Sequence, residues 1–185
     1  MVRYRLARGS DVKAIAALHA DSWRRFYRGM LPDAFLDHEV FADRAALWQK
    51  RFDHPDEQLV TLTIVAELNE DMVGFSHSIA DEDTEWGTLL DNLHVRDYTQ
   101  RLGVGTRLMA ETAAWLEEHD YTSGLYLWVL EDNIPARRFY DSLDGRLSGS
   151  GVSHEGGGSV PSLRYWWPEL GQLSCNLPQQ RQPLT

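Results

Sequence analysis

The residues Gln100-Arg101-Leu102-Gly103-Val104-Gly105-Thr106 sit between an apolar run at 89–95 and a long amphipathic stretch that starts at Val104. Strand, glycine-punctuated turn and helix in that order make a main-chain cradle for a pyrophosphate. The first amides of a helix have no partner inside it and carry the positive end of the helix dipole. Gly103 and Gly105 allow φ values and close approaches that a Cβ would block. Two common phosphate loops do not fit. A Walker A loop needs a lysine and then Ser or Thr after its last glycine, whereas Gly105 is followed by Thr106 and Arg107. A dinucleotide fingerprint needs a third glycine three positions on, and Leu108 stands there. The plainer alternative is that the two glycines only end a strand and start a helix.

The pattern that does match in full is Q/R-x-x-G-x-G/A, read as Gln100-x-x-Gly103-x-Gly105. A second pattern follows at a distance: an apolar strand at 125–129, then Asn133-Ile134-Pro135-Ala136-Arg137-Arg138-Phe139-Tyr140, which reads as N-x-x-A-x-x-F-Y. Ahead of the first, Leu93-His94-Val95 closes the apolar run. With these motifs in this order, the chain resembles the GCN5-related N-acetyltransferase (GNAT) family over about residues 2–167. The resemblance implies an α/β (α+β) acyl-CoA N-acyltransferase fold in one domain at 1–167, with a flexible polar tail at 168–185. Its sheet would be mixed and mostly antiparallel, of about seven strands flanked by about four helices, with strands 4 and 5 splayed.

The resemblance also assigns roles. The donor would be acetyl-CoA, a cosubstrate, with no metal. Gln100, Arg101, Leu102, Gly103, Val104, Gly105 and Thr106 would hold its pyrophosphate, and main-chain groups of Leu93, His94 and Val95 would meet the pantetheine amide and the thioester carbonyl. Tyr140 would protonate the departing thiolate, unless it only packs beside Phe139. Asn133 resembles the asparagine near the pantetheine arm and is equally a good helix N-cap with Pro135 in the first turn. Strand alternation puts Asp91 on one face with Leu89, Leu93 and Val95, and His94 on the other with Leu90 and Asn92. Asp91 is therefore the candidate base or ammonium partner, or else a structural carboxylate, and His94 a packing residue. The acceptor amine, a small molecule or a peptide, would meet Trp23 and Tyr27, an aromatic i, i+4 pair, and the segment 153–160. The same two rings also suit a core stripe. A covalent route would need Cys175 near the thioester, far from both motifs, so direct attack in a ternary complex is expected. The competing class is a non-catalytic acyl-CoA-binding or sensing domain of the same fold.

The elements that would position these groups read along the chain as β-α-α-β-β-β-α-β-α-β-β. Ser10 is a candidate N-cap for a helix to Trp23, and a second helix covers 41–52. Leu62, Ile64 and Ala66, then Val73, Phe75, His77 and Ile79, alternate around a turn at 69–71 and form a hairpin. Residues 81–85 form an acidic loop. In the helix after Gly103, Val104, Leu108, Thr112, Trp115 and Leu116 make one apolar face, with Glu111 outside it. Strands at 146–152 and 159–167 flank Gly156-Gly157-Gly158, and the chain frays from Pro168.

With 185 residues and 43% hydrophobic content, one core is affordable, and a formal net charge of -10 argues against a nucleic-acid groove while suiting a cationic amine or plain solubility. One cysteine leaves no internal disulfide. Without a membrane-length apolar run or an apolar leader at Met1, a cytoplasmic protein with no membrane partner is expected, possible as a homodimer.

Overall fold

The computed structural model describes residues 1–99, 102–177 and 184. Gln100, Arg101 and most of the tail beyond Leu177 lie outside the described residues. Seven strands form one sheet in the order β1-β2-β3-β4-β5-β7-β6, with β1 Arg3–Leu6, β2 Thr61–Leu68, β3 Asp71–Asp83, β4 Gly87–Val95, β5 Leu125–Leu130, β6 Arg146–Glu155 and β7 Gly158–Trp167. Helices are α1 Val12–Phe26, α2 Val40–Asp53, α3 Val104–Glu118, α4 Ile134–Asp141 and the short α5 Gly171–Ser174. This is the expected order with one helix added.

Every neighbouring pair is antiparallel except β4 and β5, which run parallel and pair only at Thr88 with Leu125 and Leu89 with Tyr126. Beyond that point they part, because each follows its other neighbour. All six residues of β5 pair with β7, while β4 stays with β3 and is bent by a bulge at Asp91, where His77 faces Asn92 and Ser78 faces Leu90. The splay is thus built by pairing on the outer edges and by one extra residue on β4.

The sheet is covered on both faces, so its strands are not simply alternating. Val65 and Phe75 pack with Val12, Ile15 and Trp48 of α1 and α2, while Ile64, Ala66 and Val73 pack with Val104 and Leu108 of α3. Val73 and Phe75 were expected on one face; a register shift opposite Ala66 and Glu67 turns them to opposite faces. The β2–β3 turn is as expected, with Asn69 and Glu70 both at positive φ. The acidic segment at 81–83 belongs to β3 rather than to a loop.

Three other expectations are corrected. The chain enters α1 through a short 3-10 turn, and the Asp11 carboxylate, not Ser10, accepts the Arg8 amide at 2.7 Å. Asp11 is itself clasped by Arg5 at 2.7 and 2.9 Å. Glu111 is buried (1% exposed) and ion-paired to Arg107 at 2.6 Å, because α3 is covered on more than its sheet face. The chain after Pro168 does not fray at once: Leu170 and Leu173 enter the core with Met109 and Leu116 of α3, and α5 forms where only polar tail was read. Among the described residues, no helix is long and apolar enough to cross a membrane, and no group of three or more His, Cys, Asp or Glu is placed to hold a metal ion.

Candidate functional site

The gap between β4 and β5 opens into a cleft of ≈ 1350 Å³ that runs from the first turn of α3 to the face of α1 and α2. At the α3 end, Gly103 is the N-cap, in the left-handed region at φ 76°, and no side chain among the described residues caps the helix. Arg107 donates to the Gly103 carbonyl at 2.9 Å, so helical bonding begins there, and the amides of Val104, Gly105 and Thr106 have no partner among the described residues. Residues 103–106 line the cleft. Leu102 is 65% exposed and does not. Gly105 suits a close approach: a Cβ there would lie 3.2 Å from the Phe139 ring, which would have to give by a few tenths of an ångström. The two motifs predicted from sequence are therefore in contact.

Along the gap, Leu93, His94 and Val95 line one side and residues 127–130 the other. Beyond Leu89 the β4 edge facing β5 has no strand beside it, which leaves main-chain donors and acceptors of β4 directed at the cleft. Asn133 lines the cleft and accepts the Ala136 amide at 3.3 Å, so its side chain caps α4. Tyr140, on α4, also lines it; its ring packs on Phe139, Tyr165 and Trp167. Burial holds the phenol proton well above the ordinary tyrosine range, and the hydroxyl has no hydrogen-bond partner among the described residues.

At the far end the bulge changes which side chains meet. Asp91 was expected opposite His94. With the extra residue in β4, Leu90, Leu93 and Val95 pack toward α3 and α4, while Asp91 and His94 both face α1 and α2. Arg51 of α2 donates to Asp91 Oδ2 at 2.6 Å and to Asn92 Oδ1 at 3.0 Å, leaving Asp91 Oδ1 without a protein partner among the described residues. His94 Nδ1 lies 2.9 Å from Ser22 Oγ, and its ring lies 4.6 Å from that of His19. Burial lowers His94 to about 4, so the imidazole is neutral near pH 7. His94 lines the cleft as a neutral polar wall rather than as a ready base.

Trp23 and Tyr27 stand together in this wall with ring centroids 5.3 Å apart. Trp23 is 4% exposed and belongs to the core with Phe35 and Val40 as well as to the cleft. The Tyr27 phenol is pushed up to about 12, first by burial and then by Glu155.

Sequence reasoning did not single out Glu155, Arg44 or Arg51. Glu155 ends β6, immediately before the turn Gly156-Gly157, whose φ values of 57° and 76° fit a tight hairpin. A Cβ on Gly156 would strike the Phe35 ring at 2.6 Å, so the hairpin tip is seated against the π-helical turn Phe35–Glu39. That contact carries the Glu155 carboxyl into the cleft. Burial raises its pKa above the ordinary glutamate value, and nearby Asp91 adds to the rise while Arg44 opposes it. The available signal was its place in the segment 153–160. Cys175 is exposed just after α5 and does not line the cleft.

Comparison with known proteins agrees with this geometry. The sequence profile described as the Acetyltransferase (GNAT) family matches residues 15–144. An uncharacterized N-acetyltransferase of Bacillus subtilis, YuaI, is 26% identical over 96% of this chain and 99% of its own. A probable N-acetyltransferase of Mycobacterium tuberculosis is 30% identical over 84% of this chain and 91% of its own. Among solved structures, the PaiA N-acetyltransferase of Thermoplasma acidophilum, in complex with coenzyme A, superposes with a TM-score of 0.72 at 14% identity, covering 90% of this chain and 99% of that one.

Proposed function

The chain belongs to the acetyltransferase (GNAT) family and is an N-acetyltransferase, and we propose that it moves an acetyl group from acetyl-CoA to a primary amine by direct attack in a ternary complex. One observation carries this reading: a single cleft joins the uncapped first turn of α3 to Asp91 and Glu155, with Tyr140 on its wall. The same fold holds coenzyme A in the Thermoplasma protein, which supports CoA as the donor here.

The residues present suit that donor. The amides of Val104, Gly105 and Thr106 would bind the diphosphate with the helix dipole behind them. Main-chain groups around Leu93, His94 and Val95 would meet the pantetheine amide and the thioester carbonyl. A preorganised N–H aimed at the oxyanion contributes about 3–4 kcal/mol. As the amine nitrogen bonds to the acetyl carbon it must lose a proton, and as the C–S bond breaks the thiolate must gain one. Glu155 takes the first, because a carboxylate raised by burial is a better base than an exposed one. The Tyr140 hydroxyl supplies the second. Asp91, held through Oδ2 by Arg51, presents Oδ1 to the incoming substrate ammonium, which releases one proton to solvent before the neutral amine attacks. Trp23 and Tyr27 form the aromatic side of the acceptor pocket.

Release of free thiol from acetyl-CoA over a panel of primary amines tests the reading. Turnover with at least one amine is expected. Tight CoA binding with no thiol released for any amine would make the protein an acyl-CoA-binding or sensing domain instead.

A further inference from the structure

The acceptor end of the cleft is not what a purely cationic substrate calls for. The chain carries 28 acidic and 18 Lys or Arg residues, yet the charged groups lining this end are Arg44, Arg51, Asp91 and Glu155. Two arginines and two carboxylates make a balanced pocket on an acidic protein. A site for a polyamine would gather carboxylates and keep guanidinium groups out.

The two arginines are differently committed. Arg51 is spoken for by Asp91 and Asn92. Arg44 lies over Trp23, its guanidinium carbon 4.2 Å from the ring centroid, with its side chain only 12% exposed. Its Nε and Nη2 both donate to one oxygen of Asp43, on the outer side of α2. Nη1, with two N–H groups, has no partner among the described residues. The indole Nε1 of Trp23 beneath it is likewise a buried donor without an acceptor among the described residues. A guanidinium pressed on a ring, largely withdrawn from water and with donors to spare, is set up for a planar or tetrahedral oxyanion. Its charge is also felt across the pocket, where it opposes the upward shifts of Glu155 and Tyr27.

We propose that the acceptor is an amine that also carries an acidic oxyanion, a carboxylate or a phosphonate, and that Arg44 holds that group while the amine faces Asp91 and Glu155. This rests on the acetyltransferase reading above and narrows it to zwitterionic substrates. It makes Arg44 a specificity-determining residue, acting on recognition rather than on the transfer step.

Matched pairs test it: methionine against 3-(methylthio)propylamine, phenylalanine against phenethylamine, and 2-aminoethylphosphonate against ethylamine, with spermidine as the cationic extreme. Thiol release should favour an acid-bearing member over its partner by at least about tenfold in kcat/KM. The preferred pair identifies the oxyanion. In Arg44→Met, which keeps the stem on Trp23, that ratio should fall toward one, chiefly through a raised KM for the acid-bearing amine, and Arg44→Lys should restore part of it. Should Arg44→Met not fold, competition in the unmodified protein gives the same readout: the amine-free acid of the preferred pair should inhibit competitively against the amine. Equal or better turnover of the acid-free amines or of spermidine, a ratio unchanged in Arg44→Met, or no competition by the acid overturns the proposal. Binding of acetyl-CoA by calorimetry with no turnover of any acid-bearing amine also overturns it. Failure to bind acetyl-CoA at all would instead remove the acetyltransferase reading on which it stands.

Discussion

The Tyr140 hydroxyl is buried, holds its proton above the ordinary phenol range and makes no hydrogen bond to the described residues. A donor waiting for a thiolate needs those properties: it stays protonated throughout the working pH range, and nothing competes for its proton. Tyr140→Phe should therefore lower kcat by about 10²-fold or more, with acetyl-CoA affinity and folding stability nearly kept, since no bond to protein is lost. Unchanged kcat would remove Tyr140 from the acid role. For Glu155 the sign follows from the raised pKa: the carboxyl is protonated and idle at low pH, and activity climbs as it ionises. Glu155→Gln should lose about 10²-fold in kcat/KM and with it the acid limb of the pH profile. An acid limb intact in that variant would assign the proton to another group. Tyr140 was legible because it ends a motif with its own spacing. Glu155 was not, because a glutamate beside three glycines reads as an exposed turn until Phe35 is seen seated on that turn.

At the scale of elements, the proposed cradle turns on Gly103 at φ 76°, where a β-branched residue is strained by roughly 1–2 kcal/mol. Gly103→Val should weaken acetyl-CoA binding at least about tenfold by calorimetry while the circular dichroism of the fold persists. Unaltered affinity would mean that the diphosphate lies elsewhere. Strand and helix order were readable from periodicity and turn residues, and the Asn133 cap from its proline. What parity counting could not give was side-chain direction past a bulge. One inserted residue at Asp91 brings Asp91 and His94 to the same face, and a similar shift separates Val73 from Phe75. Bulges leave no compositional trace in either strand. Helix α5 escaped for a related reason: Leu170 and Leu173, three residues apart in a Gln- and Pro-rich tail, are too short a pattern to mark a helix, and their burial against α3 and the sheet is a tertiary contact.

At the scale of the whole molecule, three histidines are held neutral inside the layer between the sheet and helices α1 and α2. Trp48 Nε1 donates to His19 Nδ1 at 2.9 Å, Thr63 Oγ1 lies 2.8 Å from His77 Nδ1, and Ser22 reaches His94. Burial takes His77 and His94 down to about 4 and His19 well below its ordinary value of 6.5. Between about 6.5 and 4 the unfolded chain binds more protons than the folded one, so stability is full above that window and lost as pH falls through it. At about 1.4 kcal/mol per pKa unit the loss amounts to several kcal/mol. The Arg5–Asp11 pair adds its loss only lower, below the ordinary aspartate value of 3.8. Urea unfolding at steps from pH 7 to 4.5 should show a steady decline; a flat stability over that range would contradict neutral burial of the three rings.

The splayed strands, the uncapped helix and the phenol form one device only if coenzyme A occupies all three. A crystal structure with coenzyme A bound tests this most directly. The account predicts the diphosphate on the amides of Val104, Gly105 and Thr106, the pantetheine arm beside β4 beyond Leu89, and the sulfur within hydrogen-bond reach of the Tyr140 hydroxyl. A nucleotide bound outside the gap between β4 and β5, or a sulfur out of reach of Tyr140, would contradict it.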